Sequence, residues 1–287
     1  MTTQAAQVIA IQGYAPDTAG AIVYWRLSGP IVLADAMAAW RNAGLPESLG
    51  PRQIPEHRAM TRAAKELEAN RRFLRKLPQG NGWAVVDEEA VGGELSHRTI
   101  GSVQIAGKRL EVAPYDAPWA QQVRDAYQEH LGLLDTVDVS GWLTDWLAPT
   151  LQAVALRDTG GVYFVPRQHV ERYRAYTAAI KAVSKHTFFE IPALRSDEAV
   201  VAVLDAVRRE ADGAVAQIEA DLADAANMSA RSLKVRAARC EKVLALVQSY
   251  GELLGVELEA LARKIEGLQA GIVSASLVAK AAEEKAA

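Results

Sequence analysis

From residue 233 onward, apolar side chains recur alternately four and three positions apart: Leu233, Ala237, Cys240, Leu244, Val247, Gly251, Leu254, Leu258, Leu261, Ile265, Leu268 and Ile272. That alternation is the a/d repeat of a coiled coil and places the residues in one narrow stripe along a helix. A shorter stripe precedes it, through Val200, Leu204, Val207, Ala211, Ala214, Ile218, Leu222 and Ala225. Ser196 can cap the first arm, with Asp197 and Glu198 in its first turn, where carboxylates favour the helix dipole. Asn227-Met228-Ser229 separates the two stripes. Helices of about 45 and 65 Å must bury such stripes against something, and the short break predicts that the arms fold back on each other as an antiparallel hairpin. Leu233, Leu244, Val247, Leu254, Leu258, Leu261, Ile265 and Leu268 are the expected seam, with a frayed tail after about residue 273.

The first 192 residues have a different rhythm. Ala21–Ser28 reads as a strand that ends at Gly29-Pro30, with Pro30 in the first turn of a helix that stops at Gly44. Pro55 to Leu77 reads as a second helix, closed by Pro78 and a QGNG turn. The period then becomes strand-like. WAVVDE is a strand, and TIGSVQIAGKRLEV is a hairpin turning at Ala106-Gly107-Lys108. Helices are expected over Pro118–Leu134, Ser140–Leu151 (capped by Ser140) and Gln168–Val183. Between the last two, VALRDTGGVYFVP is the clearest hairpin in the chain, with Gly160-Gly161 supplying positive φ angles. Thr187–Ile191 adds a strand, and Pro192 marks the boundary. The expected architecture is α+β: a mixed module over residues 1–192 with short antiparallel strands, then helical arms over 193–287.

Tyr24–Gly29 (YWRLSG), Arg71–Leu77 (RRFLRKL) and Leu156–Pro166 (LRDTGGVYFVP), followed by long C-terminal helices, resemble an uncharacterised family found in bacterial, phage and plasmid genomes. The resemblance spans most of the chain. It implies this architecture and carries no catalytic residues with it.

Composition narrows the function classes. A net charge of −3 gives no global pull toward nucleic acid or anionic membranes, so such binding needs a local patch. The single cysteine, Cys240, can form neither an intramolecular disulfide nor a cysteine-based zinc site. It fits a reducing compartment, and no apolar stretch has the length of a membrane span, so a cytoplasmic protein is expected. His57, His97, His130, His169 and His186 lack the spacing of a metal motif. Gly92-Gly93 and Gly160-Gly161 lack the order of a phosphate-cradling loop. No cofactor, metal or catalytic residue is therefore expected.

Two basic clusters stand out. Arg58, Arg62, Lys65, Arg72 and Lys76 would share one face of a helix running to Leu77, and such a face can track phosphates. The alternative is a solvated face partly neutralised by neighbouring glutamates. Arg231, Lys234, Arg236, Arg239 and Lys242 sit opposite Glu219, Asp221 and Asp224 across the hairpin tip, where pairing would fix the register. The expected function is a non-enzymatic interaction or assembly protein, acting on a protein partner or on itself through the arms. A nucleic-acid-binding accessory protein using helix 55–77 is one alternative. An enzyme with a site assembled from scattered residues is another.

Overall fold

The first strand in the structure, β1 (Thr18–Arg26), is buried at successive positions over its first half, so both of its faces are covered there. The structure is a computed structural model that describes residues 18–286 apart from 67, 69–71, 79–81, 92–93, 108, 114–116, 224–227 and 256–257. It is an α+β protein with antiparallel sheets and long C-terminal helices. The chain groups into two compact units, each assembled from separated segments. One comprises Met1–Arg26, Thr144–Ala175 and Phe188–Ala287, and the other Leu27–Leu143 and Tyr176–Thr187.

In the first unit a four-stranded sheet has the order β10-β1-β9-β8, where β8 is Val154–Ala155, β9 is Val162–Pro166 and β10 is Thr187–Leu194. The β8–β9 hairpin forms as expected, with Val154 opposite Phe164 and Gly160 and Gly161 at φ 70° and 84°. Gly20 of β1 lies against Pro166 of β9. A Cβ there would come within 2.2 Å of the Val165 carbonyl and 2.7 Å of the Phe164 ring, so the close approach of the strands requires glycine.

Three helices pack with this sheet: α6 (Asp197–Ala223), α7 (Ala230–Leu254) and α8 (Glu259–Ala286). Ser229 caps α7 by accepting the Ser232 amide. The second expected arm is thus two helices. Gly255, at φ 67°, ends α7 in a left-handed cap, and α8 returns antiparallel to it. The a/d stripe continues across this reversal because both of its ends face the same interior. Val207, Ile218, Leu233, Cys240, Val247, Tyr250 and Ile265 are almost wholly buried there, together with Phe164 from the sheet.

The second unit holds α1 (Leu33–Asn42), α2 (Glu56–Glu66), α3 (Ala117–Leu131) and the start of α4 (Thr136–Leu151). It also holds the end of α5 (Arg167–Lys181). A ribbon pairs β2 (Ile31–Val32) with β7 (Leu133–Leu134). A four-stranded sheet runs β3-β4-β5-β6, made of Arg72–Lys76, Gly82–Val91, Glu94–Ala106 and Arg109–Ala113. Trp40 is buried between Trp142 and Tyr176, and its indole donates to the Pro46 carbonyl.

Pairing overrides local helix propensity at three places in this unit. The helix expected over Pro55–Leu77 ends at Glu66, because Phe73 and Leu74 pair with Val86 and Val85 as part of β3. Pro30 is not helical, since Ile31 pairs with Leu134 and α1 begins at Leu33. For the same reason the helix expected to reach Leu134 stops at Leu131. The β5–β6 hairpin closes with Ala106 opposite Arg109 and Gly107 at φ 63°. Lys108 of that turn, and Gly92-Gly93, lie outside the described residues.

Candidate functional site

The five basic residues expected on one helix face are divided between two elements. Arg58, Arg62 and Lys65 are on α2, whereas Arg72 and Lys76 are on β3. They do not share one helix face, because α2 ends at Glu66, before Arg72. Arg58 Nη1 donates to Asp138 Oδ1 at 2.7 Å, and Arg62 Nη1 to Asp138 Oδ2 at 2.7 Å. Arg62 also pairs with Asp135, Nη2 to Oδ2, at 2.6 Å. The Asp138 side chain is only 4% exposed.

That carboxylate has a second task. Asp135 accepts the amides of Val137 and Asp138, and Asp138 Oδ2 accepts the Asp135 amide, which is a reciprocal capping box at the start of α4. The helix therefore starts at Thr136, ahead of the expected Ser140. Burial pushes the Asp138 pKa up, but hydrogen bonds from Arg62, Arg58 and the Asp135 amide outweigh it, and the carboxyl is held below its ordinary range. Asp135-Thr-Val-Asp138 carries a capping-box spacing in the sequence. The match of Arg58 and Arg62, one turn apart, to that box is a tertiary fact.

All eight seam residues belong to the core of the helical unit. Leu233, Val247, Leu258 and Ile265 are buried, and Leu244, Leu254, Leu261 and Leu268 pack against them. Polar contacts set the register. Arg236 Nε reaches Asp221 Oδ2 at 2.7 Å between α7 and α6, as the facing charges at the tip suggest. Lys264 reaches Glu219 at 3.0 Å, and Gln269 donates to Glu241 at 3.3 Å.

These helices end the span shared with known proteins. The family described as "Family of unknown function (DUF6744)" matches residues 19–283, from β1 through α8. The chain belongs to that family. No curated protein and no solved structure matches it.

In this DUF6744 member a polar cluster of the first unit surrounds Gln152, at φ 51° the one non-glycine residue in the left-handed region among those described. Its carbonyl accepts the Tyr250 hydroxyl at 2.7 Å. Its side-chain oxygen lies 3.0 Å from Ser249 Oγ and 3.2 Å from His169 Nε2. The geometry is that of a clamp between the end of α4 and α7. Ser249 donates to an amide oxygen, so it has no base to activate it. Burial, aided by Arg172, lowers the His169 pKa. Burial, aided by Glu210, holds Tyr250 well above its ordinary range. Nothing in the sequence around Gln152 announces this cluster, because Gln152 follows α4 while its partners come from α5 and α7.

His186, in the second unit, accepts the Ser28 amide at Nδ1, 3.0 Å away, and burial lowers its pKa. His130 pairs with Glu66, and His97 stands edge-on to Phe73. Among the described residues no three His, Cys, Asp or Glu side chains are grouped to hold a metal ion, and no helix is long and apolar enough to cross a membrane.

Cys240 is fully buried in the seam, and burial pushes its thiol pKa up. A thiol reagent should label it slowly in the native protein and fast after denaturation, because only the exposed thiolate reacts. Equal rates in the two states would show that the seam opens at Cys240.

Proposed function

We propose that this protein is a non-enzymatic interaction or assembly protein, and that its contact surface is the outer face of the distal half of α8. Within the single chain α6, α7 and α8 already fill the seam with one another, so the free apolar surface lies elsewhere. The supporting observation is that α8 is apolar on two sides near its end. Ile272, Ala275 and Ala279 face the bundle, while Val273, Leu277 and Val278 are 46%, 65% and 71% exposed. A helix apolar around its circumference is stable in water when it is covered.

A second copy of the chain is the occupant we assign. A short row of aliphatic side chains is self-complementary, and two-fold pairing would bring the same row face to face. Light scattering across a concentration series should give a mass that rises to that of a dimer. Leu277→Glu combined with Val278→Glu should return it to a monomer with helix content unchanged. A wild type that stays monomeric throughout would overturn self-assembly. The alternative of nucleic-acid binding through residues 55–77 is supported less, since Arg58 and Arg62 pair with Asp138 and Arg72 and Lys76 lie on a strand.

A further inference from the structure

Three elements of the second unit line an open groove of about 460 Å3. The first turn of α2 contributes Glu56, the start of β6 contributes Arg109 and Leu110, and one face of α3 contributes the rest. On α3 the lining residues are Arg124, Tyr127, Gln128 and Leu131, whose steps of three and four put them side by side. Leu110, Leu131 and the buried Tyr127 ring make the apolar wall.

The polar groups there are unused. Arg58 and Arg62 of the same unit are paired with carboxylates, but Arg109 and Arg124 have no ion pair or hydrogen bond with any described residue. The same holds for the Gln128 amide and the Tyr127 hydroxyl. Burial, with the Glu56 charge beside it, raises the Tyr127 pKa, so the phenol remains a donor. Among the described residues, the groove thus offers two guanidinium groups, an amide and a phenol as donors, with Glu56 as the one charged acceptor in its lining.

We propose that this groove binds a small organic anion carrying its own hydroxyl or ammonium donor, with Arg109 and Arg124 gripping the carboxylate or phosphate and Glu56 taking the donor. Guanidinium groups suit both head groups because each can offer two parallel N–H bonds. The volume lies within the roughly 300–1,000 Å3 usual for small-molecule sites. A nucleic-acid strand fits the charges poorly, because the Glu56 carboxylate would repel its successive phosphates. The proposal is independent of self-association through α8.

Calorimetric titration of the full chain with glycerol 3-phosphate, glycerate, inorganic phosphate and a single-stranded oligonucleotide tests it. Saturable one-to-one binding is expected for glycerol 3-phosphate or glycerate, about tenfold or more tighter than for inorganic phosphate. Arg109→Gln and Arg124→Gln should each weaken that binding about tenfold or more without moving the melting temperature. Glu56→Gln should erase the preference over inorganic phosphate while phosphate itself still binds. No saturable binding of either organic anion would overturn the proposal. So would arginine variants that bind like wild type, or an oligonucleotide that binds tightest with steep salt dependence.

Discussion

Ile265→Asp should destabilise the helical unit by about 4 kcal/mol or more, the range of an unpaired charge forced into a packed core. Ile265 has no exposed surface and lies in the stripe between Leu261 and Leu268, among side chains from α6 and α7. A carboxylate there finds no donor and leaves the volume of the isoleucine poorly filled. Its neighbour Lys264 is the control, because its pair with Glu219 is half exposed, and Lys264→Ala should cost within about 1 kcal/mol. Urea denaturation followed by circular dichroism measures both. Similar midpoints for the two variants would mean that Ile265 does not lie in a dry seam.

Asp138→Ala should cost about 3 kcal/mol at neutral pH. The loss lies at the low end of the range for a broken buried pair because Arg58 is half exposed, although Arg62 is mostly covered. Removing the carboxylate also opens the capping box and leaves α2 without its tie to α4. The pH dependence follows from the depressed pKa of this carboxyl. Its contribution is fully present above the unfolded value of about 3.9 and is lost as pH falls through the folded value. The stability gap between wild type and variant should therefore be largest near neutrality and shrink below about pH 4. A gap that stays constant down to pH 3 or so would show that the Asp138 charge is not what holds Arg58 and Arg62.

The helical seam was legible because its spacing is a local property of the sequence. Leu233, Val247 and Ile265 announce their burial through their neighbours at three and four positions. The reversal at Gly255 was not legible from spacing, because Leu254 and Leu258 keep the step of four that a continuous helix would have. Only the glycine, in a conformation that side chains with a Cβ avoid, marks the turn. The end of α2 was hidden for another reason. Residues Arg72–Lys76 suit a helix by composition, and what makes them a strand is the neighbouring β4, which no local pattern reveals.

The candidate sites were the least visible part. Arg58 and Arg62 were singled out for their charge, yet their partners come from a helix far along the chain. Arg109 and Arg124 carry no signal in the sequence, since each is the one arginine in its own element, and only the packing of α3 beside β6 brings them to one groove.

The turn at Gly255 also bears on whether α8 packs in its own chain or in a second copy. The stripe from Leu233 to Ile272 would stay in phase if α7 and α8 straightened into one rod, so the interior contacts do not by themselves choose the folded-back form. The left-handed backbone at Gly255 suits the bend, and a residue with a Cβ there would be strained by about 1 kcal/mol. With the bend relieved, α8 of one chain could complete the bundle of another and receive its α8 in return, burying the same side chains in an exchanged pair. The glycine at that turn thus favours a self-contained bundle over a domain-swapped one that would bury the same side chains.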